Sequence, residues 1–416
     1  MKNKIKKITS LLVAAALSLL FVMSSFADKL QDDTVFYKEG IMTDEKLSFE
    51  IPEGEEVTLV LSGTEISCED GPCIEAYGGG TLVIVLPENT VNTVTSGNEN
   101  DKELNSQNEE LKKGVISAEG DIVITGDGRL NVNGYIKNGI HAGGDVVIES
   151  GTIYLDTARK GIKSKGNVHV EGGTIIAKCL DDGINADADV EITGGIFSIK
   201  SGDDAVHADE NIRISGGTIN ISGCYEGIEG HTIDISGGMF NIMASDDGLN
   251  TGGAIDREDL PWVHISGGDI YISVEDGDGI DSNGDLYVSG GTLVIDGSET
   301  QWDAALDYGG EYGGTILIDG GFVFAAGNAN MAGQFTGESS QCSVQFIVTR
   351  CVYAGSVVEV LDSAGNVLCS HKVLKTADSF VFSCEELCLG KKYVLKIDDL
   401  EYDFLMEKVS QSVTVS

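Results

Sequence analysis

From Gly139 to Glu226 the chain restates one 22-residue unit four times. The units open at Gly139-Ile140-His141-Ala142, Gly161-Ile162-Lys163-Ser164, Gly183-Ile184-Asn185-Ala186 and Ala205-Val206-His207-Ala208. Each runs through an alternating stretch (Val168-His169-Val170, Ile212-Arg213-Ile214) to a glycine turn such as Gly172-Gly173-Thr174 or Gly216-Gly217-Thr218. A fixed period of this length means stacked repeats rather than a closed globule. Alternation of apolar and polar residues inside the unit argues for short strands, and glycines recur too often for helix interiors. The predicted fold class is all-β, a parallel β-helix whose coils bury one face of every strand in a shared core.

One aliphatic per coil supplies that core: Ile140, Ile162, Ile184, Val206, Ile228, Leu249 and Ile280. Later units drift in length, opening at Gly227, then Gly248 after 21 residues, then Gly279 after 31. The long unit carries an inserted loop from Gly252 to Trp262. Insertions of this kind map to one face of a solenoid, often the binding face.

The ends of the chain read differently. Residues 1–27 have the pattern of a secretory signal peptide: Lys2, Lys4, Lys6 and Lys7, an apolar run from Leu11 to Met23, then Ser25-Phe26-Ala27. No other apolar stretch is long enough for a transmembrane segment. A secreted, extracellular protein is expected, with cell-surface association as an extension and a monomer as the assembly. Residues 28–340 are assigned to the β-helix and 341–416 to a small C-terminal antiparallel β domain, with strands near Val344–Val348, Val357–Leu361, Val367–Leu368, Ser379–Phe382 and Tyr393–Ile397. Thr95 to Lys113 reads as a long exposed loop. Among the nine cysteines, Cys68 and Cys73 flank a turn that a disulfide can close, and Cys384 and Cys388 point to packing or a disulfide rather than zinc.

Loss of the four signal lysines takes the formal charge from −40 to −44. Nucleic acid is disfavoured as a partner, and an acidic polymer is too unless cations intervene.

Much of that charge falls in two columns. Just before the opening glycine stand Asp181-Asp182, Asp203-Asp204, Tyr225-Glu226, Asp246-Asp247, Asp276-Gly277-Asp278 and Asp303-Ala304. Two residues past it stand Asn185, His207, Glu229, Asn250, Asp281 and Asp307. A single Asp before Gly is ordinary turn chemistry. Stacked pairs are another matter, because carboxylates on coils about 4.8 Å apart repel. Calcium takes six to eight oxygens at roughly 2.3–2.6 Å, so an ion between tiers can touch both. Asp181, Asp182 and Asn185 with Asp203 and Asp204 form the first candidate Ca2+ site. Asp246, Asp247 and Asn250 with Asp276, Asp278 and Asp281 form the second, and Asp303 extends the column.

The edge changes sign at Arg159, Lys160, Lys163 and Lys165, which compensate the adjoining acids. Trp302, Trp262 and Tyr225, together with Lys160 and Lys163, are the candidate carbohydrate contacts, and Trp302 is preferred because it adjoins the acid column.

The succession Gly126-Asp127-Gly128-Arg129-Leu130-Asn131-Val132-Asn133-Gly134, Asn138-Gly139-Ile140-His141 and the Asp-Asp-Gly units resembles a known family. It is similar to the secreted carbohydrate-binding right-handed parallel β-helix proteins of anaerobic bacteria, related in fold to family 9 pectate lyases. The likeness runs from about Val57 to Gly327, and the ending Phe382-Ser383-Cys384-Glu385-Glu386-Leu387 also looks like that family's. The resemblance implies binding of plant cell-wall polysaccharide, polygalacturonate among them; the expected function is calcium-dependent binding of such acidic glycans, with cellulose as an extension, without catalysis. It implies calcium on Asp181, Asp182, Asp203, Asp204, Asp246 and Asp247. Arg159-Lys160-Gly161 and Tyr225-Glu226-Gly227 depart from the family's Asp-Asp-Gly. Two alternatives stand beside this reading: a calcium-dependent pectate lyase with Lys160 or Lys163 as base, and a structural adhesin or surface-layer protein.

Overall fold

A computed structural model describes residues 34–38, 42–43, 46–106, 113–252 and 259–416. The signal-peptide segment and residues 253–258 of the inserted loop lie outside the described residues.

The repeat builds coils of three short strands. One coil comprises Ile162–Ser164, Val168–Val170 and Thr174–Cys179; the next comprises Ile184–Ala186, Val190–Ile192 and Ile196–Lys200. Each strand pairs in parallel with its counterpart one unit away, as in Ile162↔Ile184, Val168↔Val190 and Thr174↔Ile196. Period-2 alternation fixes the register, because a one-residue slip would turn every inward side chain outward. The aliphatic column stacks as expected and continues to Leu306, with each member from Ile140 to Leu306 at most 1% exposed. The all-β parallel β-helix is the observed fold.

The opening glycine of the unit has a steric cause. A Cβ on Gly183 would lie 2.6 Å from the carbonyl oxygen of Ala205 on the next coil, and one on Gly227 would lie 2.3 Å from that of Gly248. Coils pass so closely at this corner because the Gly183 N–H donates to the Asp204 carbonyl at 2.9 Å, and Gly227 N–H to that of Asp247 at 2.9 Å.

A different corner uses acids and amides purely as caps. Asp121 Oδ1 accepts from Asp145 N, Asp145 Oδ1 from Asn167 N, Asn167 Oδ1 from Asp189 N and Asp189 Oδ1 from Asn211 N, at 2.7–3.1 Å. Ladders of this sort satisfy backbone donors that the turn leaves without a partner.

Two segments differ from the sequence reading. Much of Thr95–Lys113 is ordered: Val91–Ser96 is a strand and Lys102–Ser106 a short helix. Lys102 is buried and paired with Asp156, and its ammonium also reaches the carbonyl of Lys178 at 3.5 Å. Polar composition there reflects a buried ion pair as well as exposure.

The stretch after 341 also divides in two. Val367–Lys372, Val357–Asp362, Lys392–Ile397 and Leu400–Leu405 form a separate antiparallel sheet. Ala377–Ser383 instead pairs antiparallel with the last β-helix strand, Ile316–Gly327, and with Ser343–Val352, which pairs in parallel with Ser410–Val415. These strands cover an edge that would otherwise present unpaired backbone groups. His371, hydrogen-bonded to the buried Asp296 at 3.1 Å, ties the small sheet to the stack. All nine cysteines are free thiols, so no bridge closes the Cys68–Cys73 turn; the Cys73 thiol donates to the Thr95 carbonyl at 3.1 Å instead.

Candidate functional site

Strand register turns the two sequence columns into physical ones. The residues two past the opening glycine pair tier by tier: His141↔Lys163, Lys163↔Asn185, Asn185↔His207, His207↔Glu229, Glu229↔Asn250, Asn250↔Asp281 and Asp281↔Asp307. Beside them, hydrogen bonds from each opening N–H align the carbonyls of Lys160, Asp182, Asp204, Glu226, Asp247, Asp278 and Ala304. Ala304, not Asp303, therefore holds the inner phase of the last tier. Asp303 caps the turn from outside, accepting from Gly277 N at 2.9 Å and from the Thr300 hydroxyl. Asp276 is exposed and Asp278 takes its tier's inner place.

The edge has three electrostatic zones. At the Asp181 tier the acids already hold cations. Arg159 Nε donates to Asp181 Oδ2 at 2.5 Å, and Lys160 pairs with Asp182 and, at 3.3 Å, with Asp181. Lys163 pairs with Asp187 and donates to Asn185. Asp203 is exposed, yet one oxygen each of Asp181, Asp182 and Asp203 lie within 4.8 Å of one another. Burial works against ionisation of Asp181, but Lys160 and Arg159 hold its pKa below the ordinary carboxylate value. Asp182 is driven the other way, upward, by deeper burial and by its neighbour Asp181. Its Oδ1 is buried without a hydrogen-bond partner.

In the middle zone a histidine supplies the positive charge. Nδ1 of His207 lies 2.9 Å from Asp204 and 2.6 Å from Glu229, while Nε2 lies 3.1 Å from Asp209. Burial would lower the pKa of His207, but these carboxylates raise it to about 11, so it is an imidazolium at neutral pH. A cavity of about 410 Å3 opens here, lined by His207, Asp204 and Glu229 among others.

The third zone has no counter-charge among the described residues. Burial, with neighbouring acids adding to it, raises the pKa of Glu226 to about 7, Asp247 to about 7, Asp278 to about 8 and Asp281 to about 6; Asp307 is raised as well. Backbone and amide donors position these carboxylates without neutralising them. Asp278 N donates to Asp247 Oδ1 at 2.6 Å, Ala304 N to Asp278, Asn283 N to Asp281 at 3.0 Å, Tyr308 N to Asp307 at 2.8 Å, and Asn250 to Glu226 at 2.9 Å. Oxygens of Asp278, Asp281 and Asp307 lie within 4.8 Å of one another, about twice a calcium–oxygen distance. A hard cation with oxygen ligands fits this donor set.

The aromatic candidates separate. Trp302 is 77% exposed beside Asp303, and Tyr225, 49% exposed, hydrogen-bonds to Asp246 with its pKa raised to about 12 by that contact. Trp262 begins a different strand of its coil, pairing with Thr232 and Asp285, and stands outside both acid columns. Tyr225-Glu226 departs from the family's Asp-Asp-Gly, yet Glu226 and Glu229 continue both columns as the sequence places them. The sequence reading passed over Lys137 and His141, although each stands 22 residues before a residue already singled out, Arg159 and Lys163.

A family model for carbohydrate-binding domain-containing proteins matches residues 30–256 and 203–326. The chain belongs to that family. As a member of the carbohydrate-binding domain family it carries the matched region across both acid columns, and the match ends before the C-terminal sheets. Among solved structures it is similar to a polysaccharide lyase-like protein from C. thermocellum, a gadolinium derivative. That similarity amounts to 19% identity over 70% of this chain and 89% of that one, with a TM-score of 0.27. No curated protein matches the chain. No helix among the described residues is long and apolar enough to cross a membrane.

Proposed function

We propose that this carbohydrate-binding protein is secreted and holds acidic plant cell-wall polysaccharide, such as polygalacturonate, through calcium and without catalysis. The observation that carries the reading is the third zone: Glu226, Asp247, Asp278, Asp281 and Asp307 on one edge, each pushed toward protonation and none paired with a base among the described residues. Two such charges at this spacing repel by about 1 kcal/mol in water and by several times more at a partly buried edge. A fold has no need of that arrangement, as the Asp121–Asn211 caps illustrate. Asp247, Asp278, Asp281 and Asp307 would hold the ion, and calcium there supplies the positive charge that a uronate carboxylate requires. Exposed Trp302 offers a face for a sugar ring next to that zone. The Asp181 tier is the weaker calcium candidate, because Arg159 and Lys160 already occupy its charge.

The lyase alternative requires a neutral lysine. Burial would help Lys160 lose its proton, but Asp182 and Asp181 raise its pKa above the ordinary value, which leaves a poor base. The test is affinity electrophoresis through polygalacturonate with calcium or with EGTA. Retardation that depends on calcium is expected, with no unsaturated product absorbing in the ultraviolet. Equal mobility in both gels would sink the calcium reading, and product formation would replace binding by elimination.

A further inference from the structure

N-terminal to the acid columns the same edge opens into a second cavity, of about 540 Å3. Lys113, Lys137, Arg159, Lys160, Lys163 and Lys165 all line it, against one lining carboxylate, Glu119. The chain has only 27 basic residues against 67 acidic ones, so this gathering runs against its whole composition. Some of the charge is committed outward: Lys113 pairs with Glu75, Lys160 with Asp182 and Lys163 with Asp187. Lys165 is exposed and has no carboxylate partner among the described residues.

His141 lines the same cavity, in register between Ser117 and Lys163. Its Nδ1 is buried and makes no hydrogen bond. Burial, reinforced by Lys165 and Lys163, lowers its pKa to about 4, so the ring is neutral and can exchange a hydrogen bond with a hydroxyl. Ammonium groups beside an unpartnered neutral imidazole suit a ligand that bears both a carboxylate and hydroxyls.

We infer that this basic cavity is a second glycan subsite, one that binds a uronate residue directly on Lys165 and His141 without calcium. The inference rests on the carbohydrate-binding reading but not on its calcium step. From the Lys163 tier to the Glu229 tier is three coils, roughly 14 Å at the usual strand spacing, so one oligosaccharide lying along the stack spans both zones.

The test is calorimetric titration of the full chain with hexagalacturonate in EGTA, with cellohexaose as the neutral probe. Binding of the acidic hexamer only is expected, weakening about tenfold or more as salt rises from about 0.05 to 0.5 M. Lys165→Ala should remove it, Lys165→Arg should retain it, and Lys391→Ala, just before the strand Lys392–Ile397 of the small sheet, should leave it unchanged. Lys165 is exposed, so its truncation does not threaten the fold. No binding in EGTA, equal binding of cellohexaose, or full affinity in Lys165→Ala would each overturn the inference. The ratio of affinities with and without calcium reads the calcium site separately, so that either proposal can fail without the other.

Discussion

Asp278→Asn should stabilise the calcium-free protein and destabilise the calcium-loaded one. In the folded chain burial, together with Asp247, Asp307 and Asp281, raises the Asp278 pKa from 3.8 to about 8. Below pH 3.8 the carboxyl is protonated whether folded or not, and it costs nothing. As the pH climbs from there to about 8, the unfolded chain releases a proton that the folded chain keeps, so stability falls, by about 1.4 kcal/mol for each pH unit. Taken over that whole window the loss approaches about 6 kcal/mol, and it levels off above pH 8. The neighbouring acids share the same repulsion, so a single substitution should recover less, about 2–4 kcal/mol at pH 8. Asparagine keeps an oxygen for the Ala304 N–H, so the cap survives. Urea unfolding midpoints in EGTA from pH 5 to 9 measure the effect. The variant should already lead the wild type modestly at pH 5 and exceed it increasingly toward pH 8. With calcium present the order should invert, because the wild type alone offers the full carboxylate set. A variant no more stable than the wild type at pH 8 in EGTA would refute the claim that this edge carries uncompensated charge.

Lys160→Ala should strip Asp181 and Asp182 of their main counter-charge and open that tier to a cation, so equilibrium dialysis should find tighter or additional calcium binding; unchanged uptake would count against the tier as a latent site. Gly227→Ala should cost about 1–3 kcal/mol of stability by urea titration, since its Cβ would press on the Gly248 carbonyl 2.3 Å away. Lys102→Met leaves Asp156 without its buried partner and should cost about 3 kcal/mol or more in the same assay; a neutral result would mean that the short helix is not anchored by this pair.

The aliphatic column and the β-helix were legible in the sequence because the core demands them at one phase of a strict period: Ile140, Ile162, Ile184 and Val206 could hardly be read otherwise. The acid columns were legible for the same reason, since a 22-residue period places equal phases in register whatever the residues are. Their drifted end was less so. With units of 21 and 31 residues, the sequence could not distinguish Asp276 from Asp278, or Asp303 from Ala304, as the tier's inner residue. That choice depends on which carbonyl meets the opening N–H of the preceding coil, and only the backbone hydrogen bonds decide it.

Charge compensation is likewise a matter of distance rather than order. Sequence placed Arg159 and Lys160 one unit before Asp181 and Asp182, but only packing shows that their side chains reach across the tier and neutralise it, while Asp278, Asp281 and Asp307 have no base in reach among the described residues. The sequence alone thus determined the period, the strands, the core and the columns, because all four follow from repetition along the chain. The tertiary structure decided which tiers keep acids without a counter-charge, where His207 supplies one, how the lysines gather around His141, and that strands after 341 cover the end of the stack. These depend on side chains brought together from different coils, whose reach no linear spacing records.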